Sequence, residues 1–390
     1  MIMALTLTNT EIAFRSQSDR ALLRAYWLFR MMRYPWLVAI GSWLLRGALK
    51  LRLPVAWIVR ATVFRQFCGG ETLEECLQTV DRLAQFGIGT ILDYSVEASQ
   101  TEASFNENQS VISQTIRLAA QDRRIPFCVF KVTALGRFDL LEKKSAGANL
   151  TPAESAEWEK VYGRVEALCA EASQSRVRVF IDAEETWIQE AIDGLAYAMM
   201  RKFNRAEALI FNTLQMYRVD RLAHLERAYR TCEEEGFYAG FKVVRGAYLE
   251  KERERAASRG QASPLHATKV ATDRAFDAAI DFILPKLGRL ALCAGTHNEA
   301  STLRLAADMQ KAGIARDDER VYFAQLLGMS DHLSFNLASE NYRVAKYVPF
   351  GPVAAVFPYL VRRAQENTSV AGQTGRELAL LSQERRRRSL

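Results

Sequence analysis

The amino-acid sequence predicts an α/β protein: a (β/α)8 barrel of the TIM type with an N-terminal helical extension. Three observations lead there. Eight short runs, apolar on successive residues, alternate with longer amphipathic stretches. Polar or charged residues gather at the C-terminal ends of nearly all eight runs, and no low-complexity stretch or linker breaks the alternation. Unbroken apolar runs mark parallel strands covered on both faces. A barrel brings their C-terminal ends to one mouth, whereas the alternative, a doubly wound open sheet, spreads them along a line.

Residues 1–65 read as helices punctuated by Pro35 and Pro54, with the barrel expected over 66–378 and a basic tail over 379–390. The strand candidates are Ile88–Tyr94, Phe127–Thr133, Val177–Glu184 and Ala208–Gln215, followed by Phe241–Tyr248, Leu290–Asn298, Arg320–Gly328 and Arg343–Gly351. Helical patterns such as Trp187–Lys202 and Val270–Leu284 lie between them. Thr151-Pro152-Ala153-Glu154 has capping-box spacing with proline at the first helical position, which predicts an added helix after the second strand.

At 390 residues and 49% hydrophobic, the chain can bury one large core. Its six cysteines form no CxxC pair and its four histidines no HxxxH or HExxH spacing, so no metal site and no redox dithiol are expected. No secretory signal is visible, and the apolar run Trp36–Leu45 is well short of the roughly 20 residues a membrane span needs. The net charge of +7 is unevenly placed. Tyr26, Trp27, Phe29, Trp36, Trp43 and Trp57 mingle with Arg24, Arg30, Arg33, Arg46, Lys50, Arg52 and Arg60, and Arg385 to Arg388 close the chain. That mixture suits peripheral contact with an anionic membrane surface, and equally a helical cap with a solvated basic tail. No nucleic-acid motif accompanies the charge, so nucleic acid is not an expected partner.

The polar residues at the strand ends are Asp93 and Glu97, Lys131, Asp182, Gln215, Arg245 and Tyr248, Thr296 with His297 and Asn298, Gln325, and Tyr347. Beyond the last run, 351–367 reads as a helix entered through proline that carries adjacent Arg362 and Arg363, with Glu366 one turn on to hold either guanidinium. Two forks side by side suit a small carboxylate. Lys131 ends an apolar strand, where a charge calls for an anion, although a Schiff-base lysine is also compatible. Asp182 ends another and calls for a cation or a ligand hydroxyl. Lys242 and Arg245 fall on one strand and its mouth, and Gly246 would let a flat or phosphorylated ligand approach the backbone. Thr296, His297 and Asn298 offer donors to a phosphate or ribose. Gly87 and Gly89 precede a strand and lack a third glycine, so a dinucleotide fold is unsupported, and Walker and GxSxG motifs are absent. Spacing alone gives a barrel whose mouth binds something anionic.

The motifs in order resemble those of the proline dehydrogenases of the single-function, mitochondrial kind. They are LDYSVE (Leu92–Glu97), FKVTALG (Phe130–Gly136), IDAEE (Ile181–Glu185), FNTLQMY (Phe211–Tyr217) and KVVRGAYLEKER (Lys242–Arg253). THNE (Thr296–Glu299), FAQLLGM (Phe323–Met329) and KYVPFGPV with the following RRAQEN complete the set, which runs from about residue 60 to about 375. The resemblance implies non-covalent FAD at the barrel mouth and hydride transfer from the proline ring to flavin N5. By position, Arg362, Arg363 and Lys131 would hold the proline carboxylate. Tyr248, Leu326 and Tyr347 would shape the ring pocket, with Glu97 and Asp93 as acidic partners of the arginines and Asp182 as a polar wall. Gln215, Arg245, Gly246, Ala247, Thr296, His297, Asn298 and Glu366 would serve FAD. Lys242 stands where many relatives have arginine near N5, keeping the charge but losing the planar fork.

The same resemblance implies a membrane quinone as electron acceptor, a cytoplasmic protein peripherally associated with the inner membrane, and a separate pyrroline-5-carboxylate dehydrogenase for the product. Two other enzymes share the barrel: a 4-hydroxyproline dehydrogenase, against which the bulk of Tyr347 argues, and a Schiff-base lyase using Lys131 or Lys242.

Overall fold

The computed structural model describes residues 5–50, 56–95, 100–369 and 373–390. Eight strands form a closed barrel in sequence order. They are β1 (Ile88–Tyr94), β2 (Phe127–Phe130), β3 (Arg178–Ile181), β4 (Ile210–Gln215), β5 (Ala239–Val244), β6 (Leu290–Gly295), β7 (Val321–Leu326) and β8 (Val344–Phe350). Each falls on one of the eight expected runs. Pairing is parallel, with β1 matched to β8 from Ile88↔Val344 to Tyr94↔Phe350 and β4 to β5 from Phe211↔Gly240 to Gln215↔Val244.

Several runs outlast their strands because the polar residues at their ends leave the ladder. After β2 the chain tightens into a single 3-10 turn, Val132–Ala134. After β5 it passes through Gly246 at φ +135°, a conformation that L side chains rarely adopt. The helix expected after the second strand is present as Pro152–Gln174, and both halves of its capping box form: Glu154 N donates to Thr151 Oγ1 at 3.2 Å and Thr151 N to Glu154 Oε2 at 2.9 Å.

Two compact units result, residues 1–97 with 325–390, and residues 98–324. Inside the second, the strands close on an aromatic floor. Phe127 stacks on Phe180 at 4.4 Å, and Phe211 meets each ring edge-on at 5.4 Å. Gly240 makes room for this packing, since a Cβ there would sit 2.4 Å from the Phe211 ring.

The first unit gathers the terminal helices around Phe14, Leu22, Phe29, Phe67, Val356, Leu360 and Leu380. The solvated basic tail expected over 379–390 is instead part of a packed helix, Gln373–Arg387. Leu380 and Leu381 are buried there, and so is Glu384, which accepts from Arg387 Nε at 2.8 Å and Arg388 Nε at 2.7 Å. Arg388 also donates to the carbonyls of Phe14 and Gln17, 2.8 Å each, and Arg385 lies 4.4 Å over the Tyr26 ring. These arginines hold chain ends together. The helices Asp19–Met32 and Pro35–Lys50, by contrast, leave apolar side chains uncovered. Trp27 and Met31 are exposed on the first, and Trp36, Ile40, Trp43 and Leu44 on the second, at helical spacing. Among the described residues, no helix is long and apolar enough to cross a membrane.

Gly328, after β7, has φ +74°, and a Cβ there would lie 2.1 Å from the Gln66 carbonyl oxygen. Gly313 has a similar φ of +67° with nothing within 4 Å. Gly328→Ala is therefore expected to cost about 2–4 kcal/mol, combining strain and clash, and Gly313→Ala about 1–2 kcal/mol from strain alone. Thermal unfolding of the two variants side by side measures the difference, and equal losses would refute the steric assignment.

Candidate active site

Within residues 98–324, the C-terminal ends of β2 to β6 bring several expected residues together. Lys242 lies inside β5 with its side chain only 6% exposed, and its Nζ is ion-paired with Asp182, just past β3. Thr213 Oγ1, on β4, donates to the same Asp182 oxygen at 3.4 Å. The ammonium also stands 5.0 Å over the Phe180 ring, on the aromatic floor. A buried ammonium needs such compensation. The amine is engaged as the donor of an ion pair, an arrangement unlike that of a Schiff-base lysine, which needs its lone pair.

A second chain of contacts joins four strand ends. Gln215, last residue of β4 and buried, donates through Nε2 to the Glu184 carbonyl at 2.7 Å, and its Oε1 accepts from Ala247 N at 3.3 Å. The Glu184 carboxylate accepts from Thr133 N at 3.1 Å and from Thr133 Oγ1 at 2.5 Å, two residues past Lys131. Burial pushes the Glu184 carboxyl up to about 7, against the opposing pull of Thr133 and of the nearby Lys131 charge, with Glu185 adding to the rise. Glu184 was not among the residues singled out from sequence. Its neighbour Asp182 ends the strand, whereas Glu184 reveals itself only through a partner 51 residues away.

Arg245, directly after β5, is held on three sides. Its Nε donates to Asp273 at 2.6 Å, Nη1 to Thr296 Oγ1 at 2.6 Å and Nη2 to Ser301 Oγ at 2.9 Å, while the guanidinium sits 4.3 Å over Phe276. Two of its five N–H donors are outside these bonds. Asn298 caps the helix Glu299–Lys311, its Oδ1 accepting from Ser301 N at 3.0 Å, with half-buried His297 beside it. Gly246 lies against Tyr217, whose ring would be 2.6 Å from any Cβ. Tyr248 is buried where the helix Leu249–Ser258 begins. The donor set fits a flat, anionic cofactor such as FAD: an oriented Arg245, a helix N-terminus beside Thr296 and His297, a side-chain-free backbone at Gly246, and the Lys242 cation.

In the other unit, the helix Val353–Ser369 carries Arg363, buried and 5.2 Å over Tyr359, and half-buried Arg362. Glu366 is on the same helix, but its side chain is outside the described atoms, and Glu97 is outside the described residues. Leu326 ends β7. Tyr347 is buried in the middle of β8 rather than at its end, and its carbonyl accepts from Leu327 N at 2.8 Å. Asp93 accepts from Ser95 Oγ at 2.5 Å. Lys346, unremarked in the sequence, is fully buried, paired with Asp331 at 2.8 Å and donating to the Leu326 carbonyl at 3.3 Å and the Met329 carbonyl at 2.5 Å. It pins the turn after β7.

Comparison with known proteins places this arrangement. The profile of the proline dehydrogenase family matches residues 76–376. The carbapenem antibiotics biosynthesis protein CarD of Pectobacterium carotovorum subsp. carotovorum is 38% identical over 83% of each chain. Hydroxyproline dehydrogenase of Xenopus laevis is 33% identical over 96% of this chain and 88% of its own. Mitochondrial proline dehydrogenase 1 of Arabidopsis thaliana is 30% identical over 98% and 86%. Among solved structures, proline utilization A (PutA) of Bdellovibrio bacteriovorus superposes with a TM-score of 0.74 at 18% identity. That match covers 94% of this chain but 39% of the much longer PutA, and it speaks for the fold. The family profile and these relatives agree, and the chain belongs to the proline dehydrogenase family, a family of oxidoreductases.

Proposed function

We propose that this protein oxidises L-proline to 1-pyrroline-5-carboxylate with FAD as cofactor, electrons passing to a membrane quinone. The observation that carries the reading is the adjacent Arg362 and Arg363 on the helix after β8, the second buried against Tyr359. Two guanidiniums on one helix turn are suited to a single small carboxylate. Lys131 is assigned to the same anion. Arg245, Thr296, His297, Asn298 and Glu366 are assigned to the cofactor, with Gln215 and Gly246-Ala247 shaping the backbone beside it. Bound FAD supplies the hydride acceptor. Lys242 would supply a positive charge to stabilise the reduced cofactor, and Asp182 fixes that charge in place. The clamps contribute by orientation, since hydride transfer needs the reacting atoms within roughly 3–3.5 Å.

The relative named hydroxyproline dehydrogenase gives a second reading, oxidation of 4-hydroxyproline by the same residues. Tyr347, buried in β8, favours the unsubstituted ring, because a phenol leaves no space for a ring hydroxyl. The exposed residues of the N-terminal helices support peripheral contact with a membrane surface, which we assign to the cytoplasmic face of the inner membrane. Trp27, Trp36, Trp43 and Trp57 are 52–73% exposed beside exposed Arg30 and Arg33, the composition that settles into an anionic bilayer surface. The product would pass to a separate pyrroline-5-carboxylate dehydrogenase.

Anaerobic L-proline is expected to bleach the flavin absorbance of the FAD-loaded protein, and 4-hydroxyproline to leave it unchanged. A flavin that stays oxidised with proline would overturn the reaction assigned. Tyr347→Ser is expected to gain activity on hydroxyproline, and an unchanged preference would remove Tyr347 as the discriminating residue. Vesicles rich in anionic lipid should sediment the protein at low salt. Trp36→Ser with Trp43→Ser should weaken that binding by about tenfold or more, from the lost apolar area, without changing turnover with a soluble acceptor. Protein that stays in the supernatant would exclude membrane association.

A further inference from the structure

The mouth of the barrel contains a carboxylate with no part in the roles assigned so far. Glu184 follows β3, is buried, and lies in a cluster drawn from the ends of four strands. Its side chain accepts both the N–H (3.1 Å) and the O–H (2.5 Å) of Thr133, in the turn directly after Lys131. Its main-chain N–H is held as well, donating to Gln189 Oε1 at 2.8 Å. Its carbonyl receives Gln215 Nε2 at 2.7 Å, and Gln215 Oε1 in turn receives Ala247 N at 3.3 Å. Behind it, Gln189 donates to Asp193 at 2.8 Å, and Asp193 is closed off by Arg221 Nη1 at 2.6 Å and Asn212 Nδ2 at 2.9 Å. Every polar atom of Glu184 is therefore committed.

We propose that Glu184 is a positioning residue that fixes Lys131 through Thr133 and the Ala247 backbone through Gln215, setting the strength with which the substrate carboxylate is held. The inference rests on the assignment of Lys131 to that carboxylate. β2 has only four residues, and the chain after it runs into a single turn of 3-10 helix. Lys131 is the hinge between the two, in extended conformation with φ −100° and ψ 141°. No ladder partner holds Thr133. Glu184 holds Thr133 by two bonds, Asn108 Nδ2 holds the same turn at the Ala134 carbonyl, 2.8 Å, and of the two the Glu184 contact lies nearer in sequence to Lys131. Losing one of these bonds would leave a polar atom of this buried site unpaired, which costs more than the bond is worth in water.

A group that binds substrate and transition state alike changes KM and leaves kcat nearly intact. Glu184→Gln offers an amide that accepts on one atom only, so one Thr133 donor is left unpaired. It is expected to raise the proline KM by about tenfold with kcat changed less than about threefold, the loss of one such bond. Thr133→Val removes the hydroxyl donor and should raise KM in the same way, while Thr133→Ser restores the donor and should return KM to the wild-type value. Binding of tetrahydro-2-furoate, a ring carboxylate with oxygen for the ring nitrogen, followed through the flavin spectrum without turnover, should weaken in step with KM. Full FAD content and an unchanged circular dichroism spectrum would accompany these shifts. If Glu184→Gln loses its flavin, the Thr133 pair decides alone. A Thr133→Val enzyme with wild-type KM and wild-type analogue affinity would overturn the proposal, as would a loss confined to kcat. A wild-type flavin that proline does not reduce would overturn the assigned reaction itself, a result separate from either of these.

Discussion

Two buried glutamates, each accepting both the N–H and the O–H of one threonine, organise the mouth of the barrel in residues 98–324. Glu184 takes Thr133, and Glu252, on the helix after β5, takes Thr186 N and Oγ1 at 2.7 Å each. A parallel strand that stops at a barrel mouth leaves its next backbone groups without ladder partners, and a helix beginning there has free N–H groups of its own. Thr186 opens the helix Thr186–Phe203, whose own N-cap residue Glu185 provides no side-chain bond; the cap comes from Glu252, 66 residues away. Burial raises both carboxyl groups above their ordinary range, and the threonine bonds pull each one back. Removing one glutamate would leave two part-buried donors unpaired, a cost that grows with the share of each kept from water.

The same logic recurs, with lysine and arginine, in the unit of 1–97 and 325–390. Lys346 is fully buried on β8 and would be untenable without Asp331 and two backbone carbonyls. Asp331 receives in turn Gln17 Nε2 at 2.9 Å, so the N-terminal helices are tied to the turn after β7. Glu384 plays the converse part, a buried acid answered by Arg387 and Arg388. In each case a charge far from water is matched at hydrogen-bond distance, and breaking one partner would expose the other to the full desolvation penalty.

How far the sequence discloses this depends on how local the physics is. Apolar runs are local, and all eight strands lie on them. The capping box at Thr151 and Glu154 spans three residues and is equally visible. Of the four C-terminal arginines, read evenly as membrane-facing or as a solvated tail, Arg386 and Arg387 are exposed, whereas Arg388 is tied to the carbonyls of Phe14 and Gln17, about 370 positions away and without signature of their own. Glu184 and Lys346 escaped notice for the same reason. Each sits beside a residue that was singled out, Asp182 and Tyr347, and each is defined by partners that only folding brings near. Tyr347 is counted among the strand-end residues although the expected run Arg343–Gly351 already places it mid-strand, and β8 does run on to Phe350.

The pairing of Lys242 with Asp182 is an arrangement suited to supplying a fixed field, the role proposed for it above, rather than to nucleophilic attack. An ammonium 6% exposed and an aspartate 14% exposed would each be strongly disfavoured alone. Together, over an aromatic ring and beside the Thr213 hydroxyl, they form a fixed dipole whose positive end cannot swing away. A charge held in place before reaction needs no reorganisation while electron density moves, and that is the condition under which a single cation lowers a barrier effectively. Arginine at this position would bring a second donor pair, but the short lysine contact leaves Asp182 and Thr213 to set the direction of the field. In this chain the direction follows from β3, β4 and β5 standing side by side, Thr213 within β4, Lys242 within β5 and Asp182 just past β3.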